Sequence, residues 1–181
     1  MTRSIVTLAF LVLALLADRA LAQDHGTRWP HFRSSAPELL DALVDGVRQS
    51  PTLRDLVEQL DNSDVLVYLV LDRSPTPLSA GRISLMAAAG GCRYLRLSIA
   101  ARYTGWQRIA ILGHEVQHAV EIAAATSAID QASVASLYRQ IGFRTADDRS
   151  FDTPAAIAVG HRVWRELLDW RRGRPFRSRG R

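Results

Sequence analysis

Two histidines four residues apart, His114 and His118, stand with Glu115 in an apolar stretch that begins near Trp106 and runs to about Ile129. This spacing constrains the chain more than any other feature of the sequence. On a helix each residue advances about 100°, so positions 114 and 118 lie about 40° apart and one turn apart in height. Leu112, Val116, Ala119, Val120 and Ala123 fall on the other side, between about 140° and 240° from His114. A helix over 106–129 therefore separates a core face from a face on which two imidazoles converge. Imidazole pairs so placed suit zinc, which takes nitrogen donors at about 2.0–2.1 Å and tolerates an open fourth position. Glu115 lies about 100° from His114, off the ligand axis. From there a carboxylate can accept the proton of a metal-activated water without binding the metal.

The remaining pattern gives an α+β chain with one core. Residues 37–48 read as a helix, with Leu39, Leu40, Leu43, Val44 and Val47 at helical spacing. Pro51 opens a second helix, closed by Asn62-Ser63. Strands are expected at 64–71, 81–87 and 93–99, with Gly90-Gly91 as a hairpin signal between the last two. Arg93, Leu95 and Leu97 oppose Tyr94, Arg96 and Ser98 across the pleat, which suits an edge strand or a one-sided sheet. The sheet is expected to be small and mostly antiparallel. After the motif helix come a helix over 131–140, a loop over 141–151 and a last helix to about Arg171. Thr153 is its N-cap and Pro154 its first residue.

Residues 1–22 read as a signal peptide. Arg3 precedes an apolar run over 5–17, and Ala20-Leu21-Ala22 is a small-x-small cleavage pattern with Gln23 as the new first residue. The run is shorter than the roughly 20 residues a membrane span needs. The mature protein is thus expected to be secreted or periplasmic, with no membrane span. Residues 23–36 look like a polar entry arm in which His25 and His31 are solvated. Residues 23–170 form the domain, and at 48% hydrophobic and 23% charged the chain is ordinary globular material.

All 23 basic residues are arginine. The domain carries 15 Arg against 17 acids, whereas residues 171–181 carry six Arg and no acid. That end reads as a disordered basic tail suited to touching anionic surfaces, and export argues against a specific nucleic-acid partner. The lone Cys92 excludes an intramolecular disulfide and a Cys-rich zinc site, and reads as a small apolar residue in a strand.

The sequence His114-Glu115-Val116-Gln117-His118 resembles the H-E-x-x-H motif of the zincins, the superfamily of zinc peptidases. The likeness covers the motif helix and, loosely, the strands before it and helices after it. It implies a sheet ahead of the motif helix with an edge strand lining the cleft, a role that residues 93–99 match by position. It also implies one zinc ion, Glu115 as the general base, and a peptide or protein as substrate. His118 is followed by Ala119-Val120-Glu121, without the Gly and third His of metzincins. A gluzincin-like third ligand from a downstream segment fits better.

Two carboxylates compete for that place. Asp152, at the start of the last helix, comes from such a segment. Glu121 points the right way but lies about 10.5 Å along the axis from position 114, which suits a partner of His118 better than a ligand. Asp147, Asp148, Glu166 and His161 are the remaining candidates. Tyr138 and His161 are candidate oxyanion donors, and Trp106, Trp164 and Trp170 are expected in the core. The alternative to a hydrolase is an exported, non-catalytic zinc-binding or scaffold domain that retains the motif.

Overall fold

A computed structural model describes residues 29–74, 77, 79–145 and 150–173. The signal-peptide reading, the N-terminal side of the entry arm, Asp147, Asp148 and most of the basic tail lie outside the described residues.

From His31 onward the chain is mixed α and β. Its elements run β1 (Phe32–Ser34), α1 (Pro37–Gln49), α2 (Pro51–Asp61), β2 (Val65–Asp72), β3 (Gly81–Ala89), β4 (Cys92–Ala100), α3 (Gly105–Ala124), α4 (Gln131–Ile141), β5 (Phe143–Arg144), β6 (Phe151–Asp152) and α5 (Pro154–Arg171). Local chemistry sets the boundaries. Pro37 and Pro51 sit at helix starts, where a missing N–H costs nothing. The Ser50 side chain accepts from Leu53 N, the Asp130 and Ser133 side chains form a capping box, and Thr153 accepts from Ala156 N. Gly90 and Gly91, at φ 59° and 77°, make the β3–β4 turn in a backbone region that other residues avoid.

The four-stranded sheet has the order β1-β2-β4-β3. This corrects two expectations. The sheet is mixed: β1–β2 and β2–β4 are parallel, and β3–β4 is antiparallel. Strand β4 is central, and β3 is the edge. The reason lies in burial. Arg93, Leu95, Leu97 and Ile99 are all buried on one face of β4, whereas β3 exposes Arg82, Met86 and its Ala-rich tip. A strand with so much to cover belongs between neighbours. The polar arm also hides a strand, since Phe32–Ser34 pair with Val67–Leu69, and His31 is tied down by its ring Nδ1, 2.7 Å from Val65 O.

The core lies between the sheet and the helices. It includes Leu39 and Leu43 of α1, Leu53 and Leu60 of α2, Leu97 and Ile99 of β4, and Leu112 and Ile122 of α3. Each such side chain contributes about 1.5–3 kcal/mol by leaving water. Helix α3 follows β4 after residues 101–104 and ends at Ala124, short of the expected 129. Arg93 explains the stop. Its guanidinium is buried, pairs with both carboxylate oxygens of Asp64 at 2.6 and 2.7 Å, and donates to the carbonyls of Ile122, Ala123 and Ala125. These are the orphan carbonyls of a helix end. Trp164 and Trp170 are exposed rather than in the core, and half-buried Trp106 meets Trp164 edge-on at 6.5 Å.

Candidate metal centre

Residues 114–118 lie within α3, whose core face carries Leu112, Val116, Ala119 and Ile122. The other face looks onto a cavity of about 970 Å³ bordered by β3, α3, α4, β6 and α5. His114, Glu115, His118 and Asp152 all line it. Asp152 arrives from β6, directly before α5, and its Oδ1 sits 3.4 Å from His114 Nε2 and 3.6 Å from His118 Nε2. One ligand atom from each of the three residues lies within 4.8 Å of the other two. Donors held tetrahedrally at 2.0–2.1 Å from zinc are about 3.3–3.4 Å apart, so both His–Asp spacings fit such an ion. A His114-His118-Asp152 cluster able to hold a metal ion is thus present.

Both imidazoles are anchored by their surroundings. His118 Nδ1 lies 2.8 Å from Glu121 Oε2, which leaves Nε2 facing Asp152. The His114 ring lies against the start of α5, where the backbone of Ala156 favours its charged form. Helix α5 comes this close because Gly160 faces His114; a Cβ there would lie 3.3 Å from His114 Cβ. Glu121 is therefore a partner of a histidine, and its second oxygen accepts the Thr153 hydroxyl at 2.7 Å. Carboxylates that orient ligating histidines in this way tune metal sites.

The electrostatics follow from burial and charge. Burial pulls the His118 imidazole down, but the carboxylates of Asp152 and Glu121 outweigh it and push it up to about 9 in the metal-free protein. Burial and the neighbouring His118 hold His114 below its usual range. Burial raises the Asp152 carboxyl, yet the two histidines and the Thr153 N–H more than reverse that and leave it lowered. Glu115 is 5% exposed, and desolvation pushes its carboxyl up to about 7. No hydrogen bond joins this carboxyl to another described residue. It packs instead against Gly81, the first residue of β3, where a Cβ would lie 2.7 Å from Glu115 Cγ and 2.8 Å from Cδ. The edge strand approaches the carboxyl this closely because position 81 has no side chain.

Compared with family models, curated proteins and solved structures, the chain matches none.

The other sequence candidates take different places. Glu166 accepts from the Ser50 and Thr52 hydroxyls and from Thr52 N, at the start of α2. His161 is exposed on the rim of the cavity. Tyr138 lines the cavity, but its hydroxyl donates to His118 O at 3.3 Å, its ring meets the His118 ring edge-on at 5.4 Å, and Phe151 stacks on it. Burial and the surrounding carboxylates raise its hydroxyl, so it remains a neutral donor. Sequence reasoning missed Thr153 as a partner of Glu121, and Gly81 as the seat of Glu115. A glycine opening a strand is the signal that marks the second.

Proposed function

We propose that this chain is an exported zinc-dependent hydrolase, most simply a metallopeptidase of zincin type. One observation carries the reading: His114, His118 and Asp152 bring their donor atoms within 4.8 Å of one another, with Asp152 at 3.4 and 3.6 Å from the two imidazoles, and a buried carboxyl, Glu115, stands beside them without joining the cluster. Two imidazoles and a carboxylate form a donor set typical of catalytic zinc, which keeps a fourth position open. A zinc ion there would supply Lewis acidity, polarising a carbonyl and acidifying water. The chain's own groups do the rest. Glu115, at about 7, is poised to take a proton from water near neutral pH and hand it to a leaving amine. Glu121 holds His118 by Nδ1, so that Nε2 is the free nitrogen.

The edge strand supports a peptide as substrate. Ala100 N bonds Ala80 O, and the β3–β4 register then turns the N–H and C=O of Gly81, Ile83 and Leu85 away from β4. Gln131 Nε2 already donates to Leu85 O on that side. An extended chain laid along β3 would take up Ile83 and bring a carbonyl past Glu115. No helix among the described residues is long and apolar enough to cross a membrane. Export rests on the signal-like residues 1–22.

The test pairs metal analysis with Glu115→Gln, which keeps the shape and removes the base. The variant is expected to bind about one zinc like the parent and to lose at least about a hundredfold in hydrolysis of a peptide library. A zinc-loaded, folded parent that cleaves nothing in a broad peptide and ester panel would favour the non-catalytic zinc-binding alternative.

A further inference from the structure

Beyond the His114-Glu115-His118-Asp152 group, the charged or titratable residues bordering the cavity, among the described residues, are Arg82, Tyr103, Tyr138 and His161. None is an acid, and Arg82 is the one fixed charge. It is exposed, on the edge strand, and makes no ion pair or hydrogen bond with another described residue. Across the cavity, exposed His161 borders a second depression with Arg162 and Arg165. The fixed charge bordering the cleft outside the metal-binding group is thus positive, although the domain as a whole has more acids than bases.

The register fixes where Arg82 acts. Gly81 and Leu85 face the helices, Gly81 touching Glu115 and Leu85 being buried, so Arg82 projects from the opposite face of β3. An extended peptide paired to the free edge continues the pleat, with alternate side chains on that same opposite face. Because Arg82 follows Gly81 directly, it lies within about two substrate positions of the bond held opposite Glu115. Its neighbours across the pleat are Ser98 and, diagonally, Arg96. The nearest acid on that face, Asp72 at the end of β2, is occupied by Ser74 N and Oγ and interacts with Arg96.

We infer that Arg82 is a specificity-determining residue that selects substrates with an acidic side chain within about two residues of the cleaved bond. The inference rests on the hydrolase reading above and narrows its substrate class to acidic peptides.

Matched peptides carrying Glu, Gln or Lys at each position near the cleaved bond test it on the zinc-loaded full-length mature protein. The Glu peptide should be favoured over the Gln peptide by about 3- to 10-fold in kcat/KM, the scale of a partly exposed charge pair, with the ratio shrinking as salt rises. In Arg82→Gln the ratio should fall to about one, and Arg82→Glu should turn the preference towards Lys. Melting temperatures near the parent's are expected, because the side chain is exposed. Cleavage without an acidic preference, or a preference indifferent to Arg82, would overturn the inference and leave the hydrolase reading intact. Failure to cleave any peptide would overturn that reading instead. The inference would then be decided by fluorescence anisotropy of the same peptides on zinc-loaded Glu115→Gln protein, where equal affinity for the Glu and Lys peptides overturns it.

Discussion

The hydroxyl of Thr153 donates to Glu121 at 2.7 Å while the same oxygen accepts the N–H of Ala156 at 3.0 Å. One side chain therefore caps α5 and fastens that cap to the carboxylate that holds His118. Asp152, the residue before it, is drawn into the same arrangement through a 2.7 Å bond from Thr153 N. Replacing Thr153 by Val removes the cap and the link together. We expect about 1 kcal/mol of lost stability from the cap, and zinc affinity lowered about tenfold or more through the loosened Glu121. Thr153→Ser should restore both. Titration with a competing chelator, beside thermal melts, separates the effects; unchanged zinc affinity in Thr153→Val would show that the link is structural only.

Asp152 and Glu121 should differ in rank. Asp152 faces both Nε2 atoms, and Glu121 stands behind one ring. His114→Ala or His118→Ala should abolish stoichiometric zinc. Asp152→Ala should weaken binding more than Glu121→Ala, for which about 10- to 100-fold is expected. Metal content and affinity of the four proteins check this, and the reverse order would make Glu121 the ligand.

Glu115 should leave a mark on pH-dependent stability once metal is removed. Burial raises its carboxyl from 4.5 to about 7 in the folded chain. The folded state then holds the proton more tightly than the unfolded one. Its contribution to stability is fully present below about 4.5 and is lost as pH rises through about 7. Glu115→Gln has no such proton to lose. The variant should thus gain on the parent between pH 4.5 and 7 and run parallel to it above. Thermal melts in chelator across that range test the sign, and a difference independent of pH would contradict the burial.

Gly81 should tolerate no side chain while Glu115 is present. Gly81→Ala sets a methyl group against the Glu115 carboxyl and should cost about 1–3 kcal/mol, with loss of hydrolysis. Adding Glu115→Ala should recover much of the melting temperature without recovering activity. Two penalties that simply add would place the clash elsewhere.

The parts of this arrangement that follow from local rules were legible in the sequence. Helix starts at Pro37, Pro51 and Thr153, the Gly90-Gly91 turn, and the alternation of Arg93, Leu95 and Leu97 with Tyr94, Arg96 and Ser98 are set by residues a few positions apart. The place of Asp152 was legible as one candidate among several, because only the packing of α5 on α3 brings it to the histidines. Strand order was not legible. A hairpin can add to a sheet through either of its strands, and burial of β4 decides between them only once the helices are in place. Arg93 misled for the same reason. An arginine in a strand suggests an edge, and its buried partners are carbonyls 29 to 32 residues away that no local pattern announces.

Those carbonyls give Arg93 a further meaning. Helix α3 runs back along β4, and the guanidinium fastens its last turn to the strand's beginning, while at the other end Gly81 lets the edge strand rest against Glu115. Strand and helix are thereby pinned to each other twice, once by a charged side chain on backbone carbonyls and once by the lack of a side chain, so a change at either Arg93 or Gly81 is expected to shift how Glu115 sits against the edge strand.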